Sequence, residues 1–215
     1  KEIFWSQIMN HLDYSQQSTW HEAGETPLQS PINIESEQLV DEGTDHLNMV
    51  FTGKTQYEDR VVGEQFLVSG TLQVDGQTWQ LERIHFHEGA EHLIDGYRHD
   101  AETHFVYLNG DKVLVVAAFA DVSKTATTHT IIQDIYHTSI AATRLIELLP
   151  QDHSYYRYTG SLTTPPLGQD VTWLVLKQPI VISSAELALL HEKYPNNYRD
   201  VQHIAARDVK VVADR

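Results

Sequence analysis

No cysteine occurs anywhere in the 215 residues. That absence excludes disulfides, thiolate metal sites and cysteine nucleophiles, while leaving the cellular compartment open. Basic residues are also scarce: 15 Lys and Arg stand against 30 Asp and Glu, for a formal charge of −15. Phosphates would be repelled by that balance, which argues against nucleic acid and anionic membrane surfaces as partners. The same excess serves solubility equally well. No apolar run approaches the roughly 20 residues that a membrane span needs. The chain opens KEIFWSQIMN, without an initiator Met; this reads as a processed or trimmed product, in which a removed signal peptide would leave no trace. Repeats, low-complexity tracts and long linkers are missing too, so a single domain over 1–215 is the expectation.

What is present is the pattern of a soluble, mainly β protein. The first 35 residues carry Trp5, Trp20 and Gly24 with little periodicity and read as an irregular arm pinned by aromatic side chains. From residue 60 onward period-2 stretches dominate. QFLVSGTLQVDGQTWQLERIHFH (65–87) breaks at Asp75-Gly76, and ETHFVYLNGDKVLVVAAFA (102–120) at Asn109-Gly110; both dipeptides are hairpin turn signals. VTWLVLKQPIVI (171–182) reads as a strand pair bent at Pro179. Helical patterning is limited to part of 127–149, its second half preferred, and to 183–194, which opens with Ser183 or Ser184 as a cap. The expected fold is α+β and mainly β, a central twisted sheet with a few short flanking helices.

Alternate side chains of a strand share a face. In LERIHFHEGAEH (81–92) this sets Arg83, His85 and His87 together, with Ile84 and Phe86 turned to the core. On the strand that follows, Glu102, His104 and Val106 share a face. If the two strands pair, three imidazoles converge. Three neutral nitrogen ligands leave a tetrahedral zinc one open position, the arrangement of a catalytic rather than a structural site. With 13 histidines in the chain, an H-x-H alone is equally well read as exposed strand histidines. His92, His99, His137 and His191 read as surface or hydrogen-bonded structural residues.

Several stretches, taken in order, resemble the α-class carbonic anhydrases: HLDYSQQSTW, LQSPINI, the HFH…EH…ETHFV region, YTGSLTTPPL, VTWLVLKQPI and NYRDVQ. The resemblance runs through nearly the whole chain. It implies a mostly antiparallel twisted sheet with Zn2+ at the floor of a conical cleft, held by His85, His87 and His104. It further implies reversible hydration of CO2 to bicarbonate and a proton by zinc hydroxide. Zinc acidifies its water enough for this near neutral pH, an effect whose standard illustration is this family itself.

In the same likeness Glu102 matches a carboxylate that orients His104. Thr163 matches a hydroxyl that receives the hydroxide's hydrogen bond and donates to Glu91; an ionised Glu91 can only accept. Thr164 would line the cleft. Val106, Val115, Leu162, Val171 and Trp173 would form an apolar wall for CO2, although isolated Val and Leu read as ordinary core.

Departures from the family pattern bear on the mechanism. Glu64 stands where active members carry a proton-shuttling histidine, and Leu67 where Asn or Gln is common. Free histidine titrates near about 6.5 and glutamate near about 4.3, so Glu64 is a poor match and proton transfer is expected to limit turnover. Arg83 replaces a glutamine that accepts the ring N–H of the first ligand; guanidinium has donors only. An Arg83–Glu64 ion pair on the cleft wall is the expectation. Ala90 and Thr103 are small changes. Weak zinc esterase activity would be a side reaction, and a non-catalytic binding module is the alternative reading. Short loops throughout point to a bacterial source, and the resemblance favours export to the periplasm or medium, with the cytoplasm left open, and homodimer formation.

Overall fold

The computed structural model describes residues 11–21, 26–123 and 130–215. Its strands are β1 (Asn33–Ile34), β2 (Leu39–Asp45), β3 (Asn48–Arg60), β4 (Gly63–Val74), β5 (Gln77–Glu88), β6 (Leu93–Ile94), β7 (Ala101–Asn109), β8 (Lys112–Val122), β9 (Tyr155–Gly160), β10 (Val171–Leu176), β11 (Ile180–Ile182) and β12 (Val209–Asp214). The α-helices are α1 (Ile131–His137) and α2 (Ser184–Lys193). Ten strands form one sheet in the order β2-β12-β9-β10-β8-β7-β5-β4-β3, with β11 added alongside β8. Most of its pairings are antiparallel; β8 with β10 and β11, and β2 with β12, run parallel. The expected mainly β fold is therefore the observed one.

Turn chemistry sets the hairpins. Asp75 and Gly76 between β4 and β5 adopt φ of 51° and 67°, the left-handed pair that a two-residue hairpin requires. The long apolar runs of β7 and β8 have a different cause: these central strands are covered on both faces, so neither face needs polar residues. Leu114, Val116, Ala118 and Ala120 of β8 belong to one core, with Phe105 and Tyr107 of β7. Val115, Ala117 and Phe119 belong to the other, with Val106 of β7 and Trp173 of β10.

The first core is closed by helices. Ile131, Ile132 and Ile135 of α1 and Leu190 of α2 pack into it, with Leu145 and Leu148 of a 3-10 turn spanning Ala142–Leu148. α2 begins with a capping box, Ser183 and Glu186 satisfying each other's backbone N–H. Two details differ from the sequence reading. Within 127–149 the α-helix is α1, in the first half; the second half is pulled into 3-10 geometry after Thr55 N–H, on β3, bonds the Ile140 carbonyl. The 171–182 stretch is not a self-paired hairpin, because β10 and β11 both dock on β8. In the arm, Tyr14 and Trp20 cluster with Leu167; Trp5 and Gly24 lie outside the described residues.

β3 forms one margin of the sheet, with a register irregularity between Thr52 and Gln56. β2 forms the other and carries Asp41, Glu42 and Asp45.

Phe66 on β4 is fully buried and meets the rings of Tyr57, Phe86 and Tyr136. Phe66→Ala is expected to cost about 3–5 kcal/mol through lost burial plus the cavity left behind, measured by urea denaturation. A loss below about 1 kcal/mol would show that this core collapses around the gap.

Candidate metal centre

The β5–β7 ladder sets His85 opposite His104, and His87 opposite Glu102. The three imidazoles then converge. His87 Nε2 lies 3.1 Å from His104 Nδ1, which lies 3.2 Å from His85 Nε2. Hydrogen bonds at the far side of two rings settle which nitrogen faces inward with a lone pair. His87 Nδ1 donates to the Asn197 carbonyl at 2.5 Å, and His104 Nε2 donates to Glu102 Oε1 at 2.7 Å. Burial and neighbouring imidazoles push the pKa of His85 well down, and burial likewise lowers that of His87, which favours the neutral rings that a metal would need.

Lone pairs at this separation repel one another unless a cation lies between them. A tetrahedral zinc with bonds of about 2.0–2.1 Å has ligand–ligand edges of about 3.3–3.4 Å, close to the spacing found. The donor set therefore fits the metal that the sequence pattern suggests.

Glu102 is fully buried and accepts three hydrogens, from His104 Nε2, His92 N (2.9 Å) and His92 Nδ1 (2.7 Å). Burial alone would raise its pKa, but the electrostatic pull and N–H groups of the His92 and His104 rings hold it well below the usual carboxylate range. His92, Glu102 and His104 are also close enough to share an ion, but they are already satisfied by bonding one another.

Glu91 is fully buried beside the same ligands. Its Oε1 accepts from Arg199 N at 2.7 Å, and its Oε2 lies 3.6 Å from His87 Nε2 without a hydrogen bond. Thr163 is buried on the turn after β9, yet the expected Thr163–Glu91 hydrogen bond is not formed. Thr164 lines the cavity over His85 and His87. Val106, Val115, Val171 and Trp173 form one buried cluster on the His104 face of the sheet, with Leu162 packed against it. Trp173 meets the His104 ring edge-on at 5.0 Å and donates from Nε1 to the Ser161 carbonyl.

The expected Arg83–Glu64 ion pair is overturned. Arg83 pairs with Glu82, not with Glu64. Cross-strand register explains it: Leu67 lies opposite Arg83, whereas Glu64 lies opposite Asp59 and on the Phe66 face. Glu64 still borders the cavity, but its Oε1 accepts from Tyr57 Oη at 2.7 Å. Tyr136 is held well above the ordinary phenol pKa by burial and then by Glu64. The Glu64 carboxylate is thus turned toward two phenols.

Asn197 is the site residue that sequence reasoning missed. Its carbonyl holds His87, its Oδ1 accepts from Glu88 N, and its Nδ2 donates to the Phe86 carbonyl. The only signal was its place in NYRDVQ. A backbone acceptor leaves no mark in side-chain spacing.

Comparison with known proteins agrees with this geometry. A family model for eukaryotic-type carbonic anhydrase matches residues 15–213. The carbonic anhydrase of Pectobacterium atrosepticum is 34% identical over 191 residues, covering 82% of this chain and 73% of that protein. That of Pectobacterium carotovorum is 32% identical over 194 residues, covering 83% and 78%. Among solved structures, the Photobacterium profundum α-carbonic anhydrase aligns with a TM-score of 0.80 at 27% identity, over 92% of this chain and 95% of that one. The Thermovibrio ammonificans α-carbonic anhydrase in complex with the inhibitor sulfanilamide gives 0.77 at 28%, over 86% and 87%.

Because Glu102 fixes the His104 ring, Glu102→Gln is expected to weaken metal binding by about 10–100-fold. Competition against a chromophoric chelator measures this, and an unchanged affinity would remove the orienting role.

Proposed function

The chain belongs to the eukaryotic-type carbonic anhydrase family, whose enzymes hydrate CO2, and from that premise we propose that it works with zinc held by His85, His87 and His104 and is limited by proton export. The observation that carries the metal assignment is the convergence of three imidazole nitrogens at 3.1–3.2 Å. Zinc bound there would act as a Lewis acid that makes water nucleophilic near neutral pH.

The remaining work falls to the chain's own groups. Val106, Val115, Leu162, Val171 and Trp173 offer CO2 an apolar wall, where a molecule without hydrogen donors displaces water at little cost. Asn197 and Glu102 hold His87 and His104 in the tautomers that face their lone pairs inward. When ionised, Glu91 can only accept, so the Thr163 hydroxyl would be the donor to it. The threonine lone pair then orients the attacking water. Addition forms one C–O bond, shifts a C=O electron pair onto oxygen, and releases a proton that must leave the cleft.

That departure is the slow step in this reading. On β4 the residues available are Glu64, engaged by Tyr57, Gln65, engaged by Glu58, and Leu67. None is an imidazole matched to the donor.

Stopped-flow CO2 hydration on chain carrying one equivalent of zinc tests both parts. Activity should vanish on chelation and return with zinc. Turnover should climb several-fold as imidazole buffer is raised at constant pH and ionic strength. A rate indifferent to buffer would overturn the proton limit, and zinc-independent activity would overturn the metal assignment.

A further inference from the structure

The cavity over His85 is bordered by Arg60, Arg83 and His85 together. Its acidic neighbours are already engaged. Glu82 pairs with Arg83, Glu58 accepts from Gln65, Asp59 meets His11 Nε2 at 2.6 Å, and Glu64 accepts from Tyr57. The second oxygen of Glu64 has no hydrogen-bond partner, is buried beside Tyr136, and reaches neither arginine.

The donors are in the opposite condition. Among the described residues the Arg60 guanidinium makes no hydrogen bond or ion pair, and Arg83 makes one, from Nη1 to Glu82. His85 directs Nε2 at the other imidazoles; with that nitrogen holding a cation the ring proton lies on Nδ1, which no acceptor among the described residues meets. Arg83 stands two places from His85 on the same strand face. Both guanidinium groups border this one cavity. A chain with twice as many acids as bases thus concentrates unmatched donors at one cavity.

We propose that Arg60, Arg83 and the Nδ1–H of His85 form a binding site for a small oxyanion. The fork of a guanidinium matches two oxygens of a planar or tetrahedral oxyanion, and a bidentate pair is stronger than single contacts. The third donor, on His85, gains the acceptor that a glutamine would otherwise supply and that Arg83 is chemically unable to be. Bicarbonate is the oxyanion made within reach. This identification rests on the proposed hydration of CO2, whereas the oxyanion site itself does not. Occupancy would draw product from the apolar floor toward the mouth of the cleft and at the same time steady the His85 ring.

The experiment titrates inorganic sulfate into zinc-loaded chain by calorimetry, with ionic strength held by chloride, using wild type, Arg60→Gln and Arg83→Gln. Arg60 is exposed, so its substitution leaves the fold in place; zinc content is checked for each protein. Each substitution should weaken sulfate by about tenfold or more, as loss of a charge-assisted contact implies, and wild type should still bind sulfate, more weakly, after removal of zinc. Equal affinity in all three proteins, or no sulfate binding by wild type, would overturn the site and leave water as the acceptor. Binding that disappears with the metal would place the anion on zinc instead and also overturn it.

A second arm measures bicarbonate dehydration. The KM for bicarbonate should rise about tenfold in Arg60→Gln, well beyond any change in the KM for CO2. Sulfate binding with an unchanged bicarbonate KM would overturn the product as the ligand. Absence of CO2 hydration in every protein would overturn the functional reading, while the sulfate titration would still decide the site.

Discussion

The register between β5 and β7 is the constraint on which everything else hangs. His85 faces His104 across the ladder, and one step further His87 faces Glu102. A slip of one residue would turn the imidazoles into the core and expose Ile84 and Phe86 to the cleft, because strand side chains alternate. The two fully buried residues Ile84 and Phe105, paired directly opposite each other, therefore hold the chemistry in place from the far side of the sheet. Hydrophobic burial supplies the energy, and backbone pairing converts it into a fixed spacing between nitrogens.

Around that spacing lies a chain of buried hydrogen bonds. From His104 it runs through Glu102 and His92 to Tyr158 Oη, which bonds Ser30. Arg199 takes it up, binding the Ser30 carbonyl with its guanidinium and Glu91 with its backbone N–H. It ends at Glu91, whose other carboxylate oxygen lies 3.6 Å from His87 Nε2 without a hydrogen bond. Such a network is costly if any member is left unpaired and rigid when all are paired. It joins the irregular N-terminal region, the central strands and the segment after α2, three parts of the chain far apart in sequence.

Much of this is legible in the amino-acid sequence. The alternation around His85 and His87 names the face, Asp75-Gly76 and Asn109-Gly110 name the turns, and Ser183 with Glu186 names the start of α2. What stays hidden has a common physical cause, dependence on a partner strand or a main-chain group. By position along the chain Glu64 belongs to the cleft wall, yet cross-strand pairing sends it to Tyr57. Arg83 has two acidic residues within reach by sequence, and only packing selects Glu82. Asn197 acts through its carbonyl, which every residue owns. The helical half of 127–149 turns on a contact with β3 that no local pattern records.

The margins of the sheet carry a further consequence. On β3 the ladder breaks between Thr52 and Gln56, and Thr55 is already bonded to the Ile140 carbonyl. β2 carries three carboxylates in seven residues. Neither border offers an approaching molecule a straight, uncharged row of free amides, the template on which sheets extend from one protein to the next. Concentrated solutions of the folded chain should accordingly resist fibre growth, and the weak point in storage is the unfolded chain, where β8's apolar run KVLVVAAFADV loses its cover on both sides.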